Sequence, residues 1–531
     1  MHRNVCTAVL MSLIFEAFIS AITPLLLPSN ISCNTIPVNG VDLCPGFPDF
    51  LNLEVSDANA CAAACCKSSF CLSWVTRPIT VTSGNCTSGS QCCWLKPQDC
   101  HGFVTPSPTA VAGTVVRAQP PAGAMFIDTE TWLGTSYTPA RAANQLWWAS
   151  YPEYRSDIVR ELSAARRVLE IKAIRVFLHS LAWESVGANA HSEYIKDFIS
   201  IAEMLGLRVG FVLFGDGWNH GPNLPHPGNR GANLSCTSDG SECCPRGADG
   251  FVGVPGCSNS CWMANPQDAQ RGTPGAHFDD EGNFSVSALT KSFKPYVDST
   301  LEALGHSPVV LWVEVYNEPC EWRHWEARIC TKFEVLTSTL IKQLAFAWTR
   351  DAGVQVPVLS SWDERNNSFS DVLSVHLYSD DFAQWTPRLF AECPLGATEG
   401  SQCARGAVVT EAGARWGSGD PLNVVHFLSA LRHQQAHANA SRPHRFPFVP
   451  GAMLAWTLFV GNDNTRWSAG PPCAPVTPTS RLEPPIPWCG LLWPDGTPVS
   501  QTEAAAIRRY ARQGKETNPS GAVVVNYCCE K

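Results

Sequence analysis

The stretch Val309-Val-Leu-Trp-Val-Glu-Val-Tyr-Asn-Glu-Pro319 decides how this 531-residue chain is read. Its β-branched and aromatic residues run almost without polar alternation, the pattern of a strand buried on both faces. The run ends in Asn317-Glu318, and Pro319, which has no N–H to give a ladder, stops it there. Working outward, similar short apolar segments occur at Ala124–Asp128, Ala173–His179, Arg208–Phe214, Val356–Ser360, Val372–Tyr378, Ala407–Glu411 and Ala452–Leu458. Amphipathic stretches fall between them, at Ser156–Leu169, Ser192–Leu205, Ser287–Leu304, Lys332–Thr349 and Asn423–His437, and Gln501–Arg512 closes the series. Eight such strands, each followed by a helix or a loop, predict an α/β fold of the (β/α)8 TIM-barrel type. An open doubly wound sheet is the alternative, but no Gly-x-Gly-x-x-Gly or Walker segment follows any strand.

Apolar residues make up 45% of the chain and charged residues 16%, enough for a large core. The net charge of −9, without a basic run, argues against a nucleic-acid partner. His2 and Arg3 precede the apolar run 5–15, which predicts an export signal over residues 1–27; Glu16 and Pro24 inside the apolar region argue against a stable membrane span. There are 24 cysteines, or 23 without Cys6, and Asn-x-Ser/Thr sequons stand at Asn30, Asn85, Asn233, Asn283, Asn366 and Asn439. Both features predict an extracellular glycoprotein with disulfides. Zinc is the rival use of clustered cysteines, but paired Cys-x-x-Cys with His partners is lacking.

Ten cysteines (33, 44, 61, 65, 66, 71, 86, 92, 93 and 100) mark residues 33–104 as a disulfide-stapled module, small enough that its apolar core alone would be marginal. A helix over Asp57–Lys67, N-capped by Asp57, is expected there, with strand pieces at Leu72–Val75 and Cys93–Leu95. The pattern Cys61-x-x-x-Cys65-Cys66, Cys71-Leu-Ser-Trp74, Cys93-Trp-Leu-Lys96 resembles PAN/apple domains, which implies a carbohydrate- or protein-binding accessory module. Residues 105–121, rich in Pro, Thr, Ala and Val, read as a linker, and 122–515 as the barrel domain. An insertion over 215–286 carries Cys236, Cys243, Cys244, Cys257 and Cys261. It follows the third strand, on the face where barrels keep their sites, so Trp218 and Trp262 are candidate substrate contacts.

Two strands end cleanly in a carboxylate: the fourth at Glu318, and the seventh, Gly406-Ala-Val-Val-Thr-Glu-Ala-Gly413, at Glu411. Across a barrel mouth these side chains can face each other over one ligand. A protonated carboxyl and an ionised one in that arrangement are what cleavage of a glycosidic bond requires. On these residues the chain resembles clan A glycoside hydrolases, close to the family 5 cellulase/mannanase group. The resemblance implies Glu318 as acid/base and Glu411 as nucleophile. Arg175, in Ile174-Arg-Val-Phe177, matches the strand-two arginine that keeps the nucleophile ionised, and Asn317 the residue that binds the sugar 2-hydroxyl. His376 and Tyr378, in Ser374-Val-His-Leu-Tyr378, match the strand-six pair, and Trp456 matches the strand-eight sugar platform. Strand three departs from the family, carrying Phe211-Val-Leu-Phe-Gly-Asp-Gly-Trp218 where a His motif is usual.

The expectation is thus a secreted retaining β-glycosidase or β-glycanase whose partner is a polysaccharide or oligosaccharide of glucan, mannan or xylan type, with no cofactor and no metal. Three other readings stay open at this level. Arg175 could serve only to neutralise Glu314, which shares strand parity with Glu318. The chain could be a catalytically inactive carbohydrate-binding or adhesion protein, its N-terminal module meeting glycans. A metal-dependent barrel hydrolase would need His/Asp clusters at strand ends, where only His376 offers itself.

Overall fold

In the computed structural model of the chain, the described residues are 33–43, 51–67, 71, 73–81, 86–96, 104–117, 132–142, 145–215, 265–266, 286–319, 332–360, 370–371, 373–377, 407–413, 450–460 and 490–513. They fall in two compact units, Met1–Ala122 and Gly123–Lys531.

The first unit is an antiparallel sheet of β1 (Cys33–Leu43), β2 (Leu51–Val55), β3 (Ser73–Pro78), β4 (Gln91–Lys96) and β5 (Val104–Arg117), in the order β1-β5-β3-β4-β2. Among the described residues one helix, α1 (Ala58–Lys67), packs on it. Asp57 caps that helix through Oδ1, which accepts from Ala60 N at 2.9 Å. The core is small, built from Cys61, Cys65, Cys71, Trp74, Cys93 and Leu95. Disulfides Cys61–Cys93, Cys65–Cys71 and Cys86–Cys92 staple helix to sheet, turn to helix, and turn to strand. The linker expected over 105–121 is corrected here: Val104–Arg117 is the longest strand of the sheet, paired with both β1 and β3. Its prolines hid this. Pro106 and Pro108 are exposed and lie where β3 does not reach and the β1 register shifts, the positions at which a strand tolerates a missing N–H.

The second unit is built on eight parallel strands: β6 (Trp132–Ser136), β7 (Ala173–Phe177), β8 (Arg208–Val212), β9 (Val310–Tyr316), β10 (Val358–Ser360), β11 (Leu373–Leu377), β12 (Ala407–Gly413) and β13 (Pro450–Trp456). Their order, β10-β9-β8-β7-β6-β13-β12-β11, sets the first strand between the second and the eighth. That order agrees with the one expected of a barrel. The closed barrel expected from sequence is described only this far: between β10 and β11 no strand ladder forms among the described residues. Those two strands are tied by Asp371, whose N donates to Val358 O at 2.7 Å and whose Oδ2 accepts from Val358 N at 2.7 Å. The first strand is also corrected. Ala124–Asp128 lies outside the described residues, and the slot beside β7 is taken by Trp132-Leu-Gly-Thr-Ser136, whose Gly, Thr and Ser dilute its apolar signal.

Helices α2 (Tyr151–Leu169), α3 (Ser180–Val186), α4 (Ala188–Met204), α5 (Val286–Leu304), α6 (Lys332–Asp351) and α7 (Gln501–Gln513) follow the strands. Asn423–His437 lies outside the described residues. Several tryptophans serve the core: Trp147 and Trp148 stack with centroids 4.2 Å apart, and Trp148 Nε1 donates to Phe177 O at 2.8 Å. Within the sheet, Trp312 of β9 packs closely against its register partner Gly210 of β8. A Cβ at position 210 would stand 2.2 Å from the indole, so only glycine fits against that ring.

Candidate active site

Four strand ends converge on one buried polar cluster. Arg175 comes from β7, Glu314 from β9, His376 from β11 and Glu411 from β12, and Asn317 and Glu318 follow directly on β9. All six are buried. Asn317 continues the fourth strand by a bridge to Gly215, its N donating to Phe214 O at 2.8 Å. Glu318 then turns sharply: its φ of 45° lies in the left-handed region, which a side chain other than glycine adopts at a cost of about 1–3 kcal/mol. That turn, ahead of Pro319, takes the side chain out of the strand's alternation. His376 and Glu411 are opposite one another in the β11–β12 register, just past an irregularity.

Arg175 organises the cluster. Its Nε and Nη2 donate to the two oxygens of Glu314 at 2.7 and 2.6 Å, Nη1 donates to Glu411 Oε1 at 2.6 Å, and Nη2 also donates to Asn317 Oδ1 at 2.5 Å. Of the two roles weighed for this arginine, it performs both: it neutralises Glu314 and holds Glu411. Burial works against its charge, yet Glu314 and Glu411 outweigh burial and raise its pKa further. The guanidinium also lies over the Phe177 ring, 4.5 Å from the centroid. Because Asn317 Oδ1 is taken by Arg175, the other end of that amide, Nδ2, is the donor it can offer.

The two glutamates flanking His376 have different surroundings. Burial pushes the Glu318 carboxyl up to about 7; Arg175 opposes this and Glu314 adds to it. Burial likewise pushes His376 down to about 4, so it is neutral at physiological pH although Glu411 and Glu314 pull the other way. Its Nδ1 lies 2.7 Å from Glu318 Oε1 and 3.4 Å from Glu411 Oε2. Glu411, in contrast, accepts a charge-assisted bond from Arg175, which favours its ionised form. A carboxyl that burial pushes toward its protonated form and one that accepts from a guanidinium therefore share a site. An oxygen of each and the imidazole nitrogen all lie within 4.8 Å of one another. These three groups could offer ligands to a cation, but the Arg175 charge 2.6 Å from Glu411 works against one.

Of the remaining residues expected at the site, Tyr378, Trp218 and Trp262 lie outside the described residues. Trp456 ends β13, opposite Gly413 of β12, and only its backbone is described. One residue was not foreseen. Asn265, buried within the long insertion, clasps three elements: Nδ2 donates to Leu178 O (2.9 Å) and Leu213 O (2.6 Å), while Oδ1 accepts from Ser180 N and Oγ, both at 3.1 Å. Its backbone pairs with Gly215, which on its other side bridges Asn317. The insertion is thereby fastened beside the Asn317-Glu318 segment. The Asn265-Pro266 dipeptide in a long loop was the sole local signal, and a weak one.

No protein-family profile matches the chain, and no curated protein matches it. Among solved structures it is similar to GH5_18 from Streptomyces cattleya, in complex with Manb1-4GlcNAc, at 14% identity over 74% of this chain and 82% of that one, TM-score 0.43. It is also similar to an exo-beta-1,4-mannosidase from Opitutaceae bacterium strain TAV5, at 15% identity over 75% of this chain and 61% of that one, TM-score 0.41. A third is the endo-beta-1,4-mannanase from Thermotoga petrophila, at 13% identity over 74% and 78%, TM-score 0.39. Likenesses this distant do not carry an activity over to this chain.

Proposed function

We propose that this chain is a retaining glycoside hydrolase that cleaves β-linked glycans of glucan, mannan or xylan type. The observation that carries the reading is the pair Glu318 and Glu411, with oxygens within 4.8 Å across His376 and with opposite charge preferences. Retaining enzymes set their carboxyls about 5–5.5 Å apart, whereas inversion needs about 6.5–9.5 Å to admit a water between them. In the first step Glu411 attacks the anomeric carbon while protonated Glu318 gives its proton to the departing oxygen. The products are a glycosyl ester on Glu411 and a free alcohol. In the second step ionised Glu318 takes a proton from water as that water attacks the anomeric carbon and displaces the Glu411 carboxylate, which frees the sugar with its configuration retained and restores both groups. Arg175 stabilises Glu411 as the leaving carboxylate, and Asn317 Nδ2 is placed to donate to the sugar 2-hydroxyl.

The eight parallel strands close as a barrel across β10 and β11, with Tyr378 and Trp456 completing the sugar site and Trp218 and Trp262 lining the cleft. The disulfides of the first unit support export to an oxidising compartment. That unit serves as a PAN/apple-like module toward glycan or protein.

The test is Glu411→Ala, assayed on aryl β-glycosides and on glucan, mannan and xylan. Turnover should fall by about 10⁴-fold or more, as when a nucleophile is removed, and azide should restore it with a glycosyl azide of inverted configuration. Intact activity without azide would refute the assignment. A metal-dependent reading rests on the Glu318–His376–Glu411 cluster alone; loss of activity in EDTA, restored by a divalent ion, would favour it instead.

A further inference from the structure

Ser136 is the last residue of β6, paired in register with Arg175. Register partners in a parallel pair point to the same face, about 4.8 Å apart, so Ser136 shares the interior face from which Arg175 reaches Glu411. Its backbone is pinned on every side. Ser136 O accepts from Leu458 N at 2.9 Å, the next residue's N donates to Arg175 O at 2.8 Å, and Tyr137 Oη donates to buried Glu161 at 2.9 Å. The preceding Thr135 is tied through Oγ1 to Ala455 O at 2.8 Å. Yet the hydroxyl of Ser136, a residue 3% exposed, is bonded by no protein group among the described residues. The site's other polar side chains, Arg175, Glu314, Asn317, Glu318, His376 and Glu411, are all hydrogen-bonded to one another. Other buried hydroxyls left without a protein partner, Thr300 on α5 and Ser360 on β10, are not in register with a site residue. A buried hydroxyl without a partner is unfavourable in the free protein, and a rigidly held one is prepared for a ligand.

We propose that Ser136 is a substrate-binding, specificity-determining residue whose hydroxyl exchanges a hydrogen bond with one neutral hydroxyl of the sugar unit held between Glu318 and Glu411. A serine can both donate to and accept from such a group. The surrounding carboxylates of Glu314 and Glu411 favour an uncharged sugar over a uronate. This rests on the glycoside hydrolase reading.

The experiment compares wild type with Ser136→Ala on the 4-nitrophenyl β-glycoside that wild type turns over fastest, among glucoside, mannoside and xyloside, and on each of its monodeoxy forms. For the parent, kcat/KM should fall about 3- to 10-fold, the size of one neutral hydrogen bond. The same loss should recur with every monodeoxy form but one, and for that one wild type and variant should be equal. The melting temperature of the free protein should hold or rise, because no protein bond is removed. An unchanged kcat/KM on the parent, an equal loss on every deoxy form, or a lowered melting temperature would each overturn the role of Ser136 while leaving the hydrolase reading standing. Absence of turnover by wild type on all glycosides would instead overturn the hydrolase reading itself, and this inference with it.

Discussion

The Nδ1 atom of His376 lies 2.7 Å from Oε1 of Glu318, a bond between two side chains that are both buried and both displaced by burial toward their neutral forms. A salt bridge would need both charges; here the imidazole stays neutral at ordinary pH and the carboxyl keeps its proton up to about 7. His376 therefore orients Glu318 without drawing its proton away, as suits a general acid.

A pH prediction follows from this pair. In the proposed mechanism Glu318 gives its proton in the first step, so kcat/KM should fall as pH rises through about 7, where the carboxyl ionises. His376 is already neutral above about 4 and adds no limb near neutrality. Glu314 raises Glu318, so Glu314→Gln should move the alkaline limb to lower pH. A profile of kcat/KM against pH for both proteins checks the direction.

Arg175 is fully buried and hydrogen-bonded to Glu314, Glu411 and Asn317, and no other side chain matches its fork. Arg175→Met would leave Glu314 and Glu411 buried without a cation and should destabilise the protein by about 3–5 kcal/mol. Arg175→Lys should fall between the two, keeping charge but losing the bidentate hold on Glu314. Urea or thermal midpoints rank the three proteins.

Gly210→Ala should destabilise the second unit by about 1–3 kcal/mol or more, the cost of overpacking a core, because its Cβ would meet the Trp312 indole at 2.2 Å. Shortening the ring should relieve it: Gly210→Ala combined with Trp312→Val should lose less than the sum of the single changes. Melting temperatures of the four proteins of that cycle decide the matter.

Asn265→Ala would strip donors from Leu178 O and Leu213 O and an acceptor from Ser180. Unsatisfied buried groups cost about 1–3 kcal/mol each, so a clear fall in melting temperature is expected. Because Gly215 links Asn265 to Asn317, kcat should drop as well, although Asn265 is assigned no contact with substrate. Equal kcat in the folded variant would show that the clasp is structural alone.

Much of the fold was legible because its signals are local. The β-branched run ending at Pro319, the Thr-Glu-Ala-Gly end of the seventh strand and the Asp57 cap each depend on neighbours a few residues away, and backbone sterics and burial act at that range. Where local signals conflicted, the reading slipped. The prolines of β5 looked like a linker until two partner strands were found beside them, and the dilute Trp132–Ser136 lost its place to the more apolar Ala124–Asp128.

From the amino-acid order alone came the alternation of strand and helix, the two strand-end glutamates and the arginine matched to them. The tertiary structure alone decided that Arg175 serves Glu314 and Glu411 together, that Gly210 must stay bare against Trp312, and that Asn265 fastens an insertion to the end of a strand 50 positions earlier, at Gly215. The same holds for Ser136, an ordinary residue in the sequence whose hydroxyl gains significance only from what surrounds it. Each of these depends on contacts between distant segments, and burial, charge pairing and close packing are properties of those contacts rather than of any one stretch of chain.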